Sequence, residues 1–357
     1  MIVLGIETSC DETAAAVVED GRWVRSSVVA ASTDLQSEFG GVVPELASRC
    51  HLKWIRPVLR RALRDAGVPL QEIGLIAVTQ GPGLVGALMV GVSLSKGLAL
   101  GLGIPLIGVQ HLQAHLYAPC LGSKDPSRFF PAVGLLVSGG HTCLLLMNNP
   151  AEARILGQTR DDAAGEAFDK VAQALGLGYP GGPAVEACAA EGNASAYAFP
   201  RARVRGRPLD FSFSGLKTAV LYELRDRWGI PLGPGRADPE LRRKIANQDR
   251  ADLCASFQEV VVQTLISQTL EACERARVRT LLVGGGVAAN GRLRECLDAA
   301  AAEHGLQLFV SERRYCIDNA AMIAGLGYAL YRSGKGAGLD MSPDPRMPFF
   351  GLEPGSI

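Results

Sequence analysis

The sequence predicts an α/β protein built as two related lobes, on three observations. The chain has 357 residues, above the ~250–300 at which one hydrophobic core stops growing, so two lobes are expected. Short apolar runs alternate with amphipathic stretches along most of it, the pattern of helices laid on a sheet. A strand–turn–strand opening occurs twice, in "MIVLGIETSCDETAAAVVE" from Met1 and "PAVGLLVSGGHTCLLLMN" from Pro131. Each is followed by alternating helices and strands, as an internal duplication would give.

From the start of the chain, "MIVLGI", "AAAVVE" and "RWVRSSVVA" read as a hairpin or meander around the turn "ETSCDET". A helix is predicted near 45–66, then a strand "IGLIAVTQ", the turn "GPG" and an apolar helix. A short strand "PLIGV" and a helix carrying "HLQAHLY" close this half. After the second hairpin come a helix "AAGEAFDKVAQALGLG", the loop "YPGGP" and the segment "LDFSFSGLKTAV". A long helix over about 249–276 follows, and then strand, glycines and helix in "TLLVGGGVAANGRLRECL".

Thirty-six basic and 36 acidic residues cancel, so no global field would draw in nucleic acid, and any RNA partner needs a local patch. Nine cysteines at irregular spacing make no disulfide framework. "MIVLGIETSC" lacks the basic segment of a signal peptide. The longest apolar run, from Leu84, is broken by Lys96 and Pro105 and reads as a buried helix plus a strand, not a membrane span. The expectation is a cytoplasmic protein with no membrane attachment. Glycine is the outlier: 42 of 357 residues, against about 7% on average.

Gly81, Gly83 and Gly86 satisfy G-x-G-x-x-G after a strand, but the region about 20 residues on, "LGLGIPLIG", has no carboxylate for a ribose. Gly176, Gly178 and Gly181 repeat the spacing after a helix instead. Neither makes a dinucleotide site, and there is no G-x-x-x-x-G-K-[ST]. Three other turns, "GIETSCDET" (5–13), "LLVSGGHT" (135–142) and "LLVGGGVAAN" (281–290), each end an apolar strand. Singly each is a plain turn. Together they favour a nucleotide, since glycine brings backbone N–H groups close to phosphate.

Only five histidines occur, and His111 and His115 stand four apart. On a helix that spacing keeps both rings on one face about 6 Å apart along the axis, able to share a cation at ~2.1 Å. Leu112 follows His111, so the glutamate of a zinc peptidase is missing. A third ligand is offered by Asp318 in "YCIDNAAMIAG", with a helix N-cap as its competing role. Two histidines and one carboxylate suit Fe(II) or Zn. Asp11 and Glu12 are adjacent carboxylates, either solvated or acid–base groups. Glu166 and Lys170 form an i,i+4 pair, leaving Asp169 for ribose hydroxyls. "RARVRGR" (201–207) has four arginines and is either a solvated loop or a phosphate-backbone contact.

These segments, with "GGVVPELASRCH", "TQGPGL", "HLQAHLYAP", "GEAFDKVAQALGLGYPGGP", "FSFSGLKTA", "GGGVAANGRLR" and "CIDNAAMIA", together resemble the universal tRNA N6-adenosine threonylcarbamoyltransferases, once labelled O-sialoglycoprotein endopeptidases. The resemblance runs from Ile2 to about Pro348 and looks bacterial. It implies an actin-like ATPase (ASKHA) fold with a nucleotide cleft between lobes 1–118, joined by part of 319–357, and 119–318. It implies transfer of the threonylcarbamoyl group of threonylcarbamoyl adenylate to the exocyclic amine of the adenosine 3′ of the anticodon, in tRNAs reading codons that begin with A. By position, His111, His115 and Asp318 match the family's metal ligands, with Fe2+ favoured and Zn2+ second, and the metal is expected to bridge the lobes. Leu136, Val137, Ser138, Gly139 and Gly140 match its substrate-phosphate turn. Asp169, Gly182 and Asn290 match groups around ribose and adenine, and Glu186 stands where many relatives carry aspartate. Asp11 and Glu12 match acidic residues needed for activity. An ATP/ADP-type nucleotide in the same cleft, tRNA, a shorter actin-like paralogue and a small P-loop ATPase are the implied ligands and partners. Competing readings are an actin-like small-molecule kinase, which leaves the histidine pair unexplained, and a non-catalytic ATPase scaffold.

Overall fold

The computed structural model describes the chain apart from residues 32–41, 232–239, 241–242, 337 and 350–357. Gly40 and Gly41 of the quoted "GGVVPELASRCH", and the end of the 319–357 stretch, lie outside the described residues. Two compact units emerge: Met1–Ala132 with Met147–Arg154 and Ser311–Ile357, and Val133–Leu146 with Ile155–Val310.

The first unit holds a five-stranded sheet of β1 (Ile2–Glu7), β2 (Glu12–Glu19), β3 (Trp23–Ala31), β4 (Leu75–Gly81) and β5 (Leu106–Gln110), in the order β3-β2-β1-β4-β5. The first three strands pair antiparallel, while β4 and β5 run parallel to β1 and to each other. The expected meander is present, with Glu12 already the first residue of β2. Side-chain alternation along β1 assigns its two faces. Leu4 and Ile6 join Ile76 and Val78 in a core closed by Ile55, Val58 and Leu59 of α1 (Pro44–Ala66) and by Val92 and Ala99 of α2 (Val85–Leu102). The apolar run from Leu84 is thus a helix of this sheet's outer layer; by length and composition alone it would also pass for a membrane span.

Gly5, on the opposite face, receives α9 (Ala320–Arg332). A Cβ at Gly5 would stand 2.1 Å from the Ala320 carbonyl oxygen, and one at Gly327 would stand 2.4 Å from the Ala77 Cβ. Glycine at those two points lets helix and sheet backbones approach closely. The short α3 (His111–Tyr117) follows β5 directly and packs against α9.

The second unit repeats the plan. The second sheet comprises β6 (Ala132–Val137), β7 (Thr142–Asn149), β8 (Glu152–Gln158), β9 (Thr280–Gly284) and β10 (Gln307–Val310), with the β7–β8 hairpin end counted in the first unit. The order, β8-β7-β6-β9-β10, is that of the first sheet strand for strand, and β9 runs parallel to both β6 and β10. This identity of order is the structural form of the duplication that the two hairpin openings predicted. The helices are α4 (Ala164–Leu175), α5 (Gly181–Ala189), α6 (Ser214–Trp228), α7 (Asn247–Ala276) and α8 (Gly291–His304).

Candidate metal centre and substrate loops

The first cluster begins with how α9 starts. Its N-cap is Asn319, whose Oδ1 accepts from the Met322 amide at 3.0 Å, while its Nδ2 donates to the Tyr315 and Ile317 carbonyls. The capping task that competed for Asp318 therefore falls to its neighbour. Asp318 takes no part in the cap and stands near the end of β1, where the Gly5 contact has delivered the helix.

The helix expected for "HLQAHLY" forms, capped by Gln110, and every one of its residues is buried. The two imidazoles meet edge to face, centroids 4.8 Å apart. His111 Nε2 lies 3.3 Å and His115 Nε2 3.1 Å from the same Asp318 oxygen, Oδ1. Those separations are close to the edge of a tetrahedron with ~2.1 Å bonds. The three ligand atoms all fall within 4.8 Å of one another. Two nitrogen lone pairs and a carboxylate converging in this way fit a divalent cation. The Asp318 side chain keeps 22% of its surface exposed, so the group opens on that side. All three candidate ligands lie in the first unit, so a cation held by them would be internal to that unit and not the bridge between lobes that was expected.

A residue missed by sequence reasoning stands behind the pair. Glu7 is fully buried and its Oε2 lies 2.8 Å from His111 Nδ1. The same oxygen accepts from the Thr79 hydroxyl at 2.6 Å, and Oε1 accepts from the Ser9 amide. The signal was strand parity: Glu7 shares the Gly5 face of β1, where a carboxylate is out of place unless something polar meets it. Electrostatics follow from the burial. For His111, burial opposes charge, but Asp318 and Glu7 overcome this and raise its pKa well above 6.5. For Asp318, burial raises the pKa, and the His111 charge with hydrogen bonds from both histidines brings it net below the usual carboxylate range. Glu7 follows the same balance and ends lowered.

Asp11 ends the adjoining turn and Glu12 begins β2. His51, also buried, spans the turn: Nδ1 lies 2.8 Å from the Thr13 hydroxyl and Nε2 3.0 Å from the Cys10 carbonyl oxygen. Burial lowers the His51 pKa, so a neutral ring donates to Cys10 and accepts from Thr13. Glu12 is pushed up to about 10, first by burial and then by Asp318 and Asp11. In the metal-free protein it holds a proton at neutral pH. The glycines of the first G-x-G-x-x-G have packing roles instead: a Cβ at Gly81, Gly83 or Gly86 would collide with Asp344, Ser9 or Ser48.

The second unit collects the predicted nucleotide residues at the C-terminal ends of β6 and β9, where open parallel sheets present their ligands. Leu136 and Val137 are buried strand residues. Ser138 closes the following turn on His141, with amide to carbonyl 2.8 Å, and Gly139 and Gly140 face open space. The adjacent turn needs Gly285: its φ is +96°, and a Cβ would stand 2.4 Å from the Val137 carbonyl oxygen. The polar residues carry local tasks that sequence did not reveal. Asp169 accepts from the Gly181 amide at 2.7 Å, at the start of α5, and Gly182 beside it faces open space. Glu186 accepts from the Gly291 amide at 2.7 Å, at the start of α8. Asn290 caps α8 through Leu293 and donates to Gln258 at 2.8 Å. The beginnings of α5 and α8 are thereby tied to their neighbours.

Nearby, Lys170 pairs with Glu166 as expected and also with Asp162, which Lys217 joins. Asp161 binds the amides and hydroxyls at the start of α6, so "FSFSGLKTA" fastens that helix. In "RARVRGR", Arg201 donates to Gln263 and Ser267, and Arg207 lies 3.8 Å from Asp210. Arg203 and Arg205 are exposed and form no ion pair among the described residues.

The duplicated sheet order makes this an actin-like α/β protein, and solved structures agree. HypF from T. kodakarensis superposes with a TM-score of 0.58 at 14% identity, over 94% of this chain and 48% of that one. A full-length HypF gives 0.56 at 12% identity, over 94% and 47%. Such likeness speaks for the fold only. Residues 24–325 match the family described as tRNA N6-adenosine threonylcarbamoyltransferase. Proteins of that name from Symbiobacterium thermophilum (52% identical, 96% of each chain) and Anaeromyxobacter dehalogenans strain 2CP-C (51%, 96% of this chain and 98% of that one) align along nearly the whole length. The chain belongs to the tRNA N6-adenosine threonylcarbamoyltransferase family. It is a transferase that modifies the N6 position of an adenosine in tRNA.

Proposed function

We propose that this transferase uses a divalent cation held by His111, His115 and Asp318, and that threonylcarbamoyl adenylate is its donor. The convergence of two Nε2 atoms on one Asp318 oxygen carries this reading. The cation, Fe2+ in preference to Zn2+, would supply Lewis acidity toward the carbamoyl carbonyl. The adenosine amine forms a bond to that carbonyl carbon. The bond from carbon to the adenylate phosphate oxygen breaks, AMP departs with the electron pair, and one amine proton must be taken up. Asp11 and Glu12 are the candidates for that proton.

The turn Leu136–Gly140 receives the donor phosphate on the backbone amides of Gly139 and Gly140, which face open space. Asp169, Gly182, Glu186 and Asn290 line the nucleoside, with the Asp169 carboxylate already accepting from the start of α5. The acceptor is the adenosine 3′ of the anticodon in tRNAs reading codons that begin with A. Arg203 and Arg205 are the candidate contacts to its phosphates. A shorter actin-like paralogue and a small P-loop ATPase are proposed partners, an ATP/ADP-type nucleotide a second ligand, and the cytoplasm the location.

The test is mass spectrometry of tRNA nucleosides from depleted cells. Threonylcarbamoyladenosine should vanish on depletion and return with the wild-type protein but not with His115→Ala. Restoration by His115→Ala would refute the metal assignment. Unchanged modification on depletion would refute the acceptor.

A further inference from the structure

The two histidines of the cluster are not equivalent. His111 Nδ1 faces the Glu7 carboxylate at 2.8 Å, with the Ser9 hydroxyl at 3.3 Å. His115 Nδ1 is buried and has no hydrogen-bond partner among the described residues. One ligand is therefore supported from behind and the other is held by packing, against His111 on one side.

Glu7 is itself built in. Its Oε1 is engaged by the Ser9 amide and its Oε2 by the Thr79 hydroxyl, both of which donate. An atom approaching Oε2 from His111 must donate as well, which puts the ring proton on Nδ1 and leaves the Nε2 lone pair for the cation. The Ser9 hydroxyl alone would not decide this, since it can donate or accept. Thr79 is adjacent because β4 runs parallel to β1, with Ile6 opposite Val78. The chain from sheet to ligand is thus Thr79, Glu7, His111.

We propose that Glu7, steadied by Thr79 and Ser9, is the positioning residue that fixes His111 as an Nε2 ligand and sets the affinity of the cluster for a divalent cation. This rests on reading His111, His115 and Asp318 as ligands. Carboxylates behind metal-bound histidines fix the tautomer and ring orientation, and their loss costs about 10–100-fold in metal affinity.

The experiment uses the full chain, stripped with a chelator and titrated with Zn2+ against a competing indicator, and with Co2+ while its absorption bands are recorded. Glu7→Gln, nearly isosteric, should weaken Zn2+ at least tenfold and shift the Co2+ bands. Thr79→Val, which removes only the hydroxyl behind Glu7, should weaken Zn2+ about threefold. His115→Ala should abolish tight binding. Wild-type affinity and bands in Glu7→Gln overturn the proposal. If that variant does not fold, unchanged affinity in Thr79→Val does so. A His115→Ala protein that still binds Zn2+ tightly would instead overturn the ligand assignment, whatever Glu7 does.

Discussion

The first unit gathers its candidate site from buried charged side chains, whereas the second builds its own from exposed turns and helix beginnings. Glu7, His111, His115 and Asp318 crowd together with opposite charges balanced at short range. Ser138, Gly139 and Gly140 offer backbone, and Asp169, Glu186 and Asn290 already satisfy amides of their own fold. The first arrangement gains a partner when a cation arrives. The second is complete before any ligand binds, and presents the amides and oxygens left over. A cation site should therefore fail by losing its ligand, and a turn site by losing its shape.

The sharpest separation comes from Asp318→Ala. Metal content measured by mass spectrometry should fall to background and transfer by more than the ~100-fold that outer groups can cost, with circular dichroism unchanged. Normal transfer by this variant would erase the contrast. Next are two glycines of the second unit. Gly285→Ala brings a Cβ against the Val137 carbonyl at positive φ and should destabilise by about 2–3 kcal/mol in thermal melts. Gly139→Ala meets open space, so its melting temperature should hold while KM for the donor rises.

Glu12→Gln tests buried charge in the first unit. In the metal-free fold the Glu12 carboxyl titrates at about 10, against 4.5 for a free side chain. Above pH 4.5 the unfolded chain gains by ionising it, so folding is progressively disfavoured as pH rises towards 10. The glutamine variant should exceed wild type by about 3 kcal/mol at pH 7, a difference that denaturant melts should find absent below pH 4.5. The smallest effect is Asn290→Ala, an N-cap loss of ~1 kcal/mol, with a larger change in KM if the residue also meets the nucleoside.

Much of this was legible in the sequence, for physical reasons. A duplicated hairpin opening announces a duplicated sheet, and two scarce histidines at helical spacing announce one face. Asp318 was harder, because a carboxylate before a helix is as readily a cap. The cap is Asn319, and only the start of α9 decides between neighbours. Glu7 was not legible, since its meaning depends on which face of β1 receives α9. The same holds for Asp169 and Glu186, whose amide partners lie 12 and 105 residues away. Local pattern cannot say which helices begin side by side.

Because Asp318 follows His115 by 203 residues, the ligand set spans the ribosome's work on the entire second unit. At ~5–20 residues per second, the histidine pair waits roughly 10–40 s before its carboxylate is made. A nascent chain cannot hold the cation tightly in that interval. Metal loading thus becomes a late checkpoint of synthesis, passed only by a chain whose last helix has returned to the strand that began it.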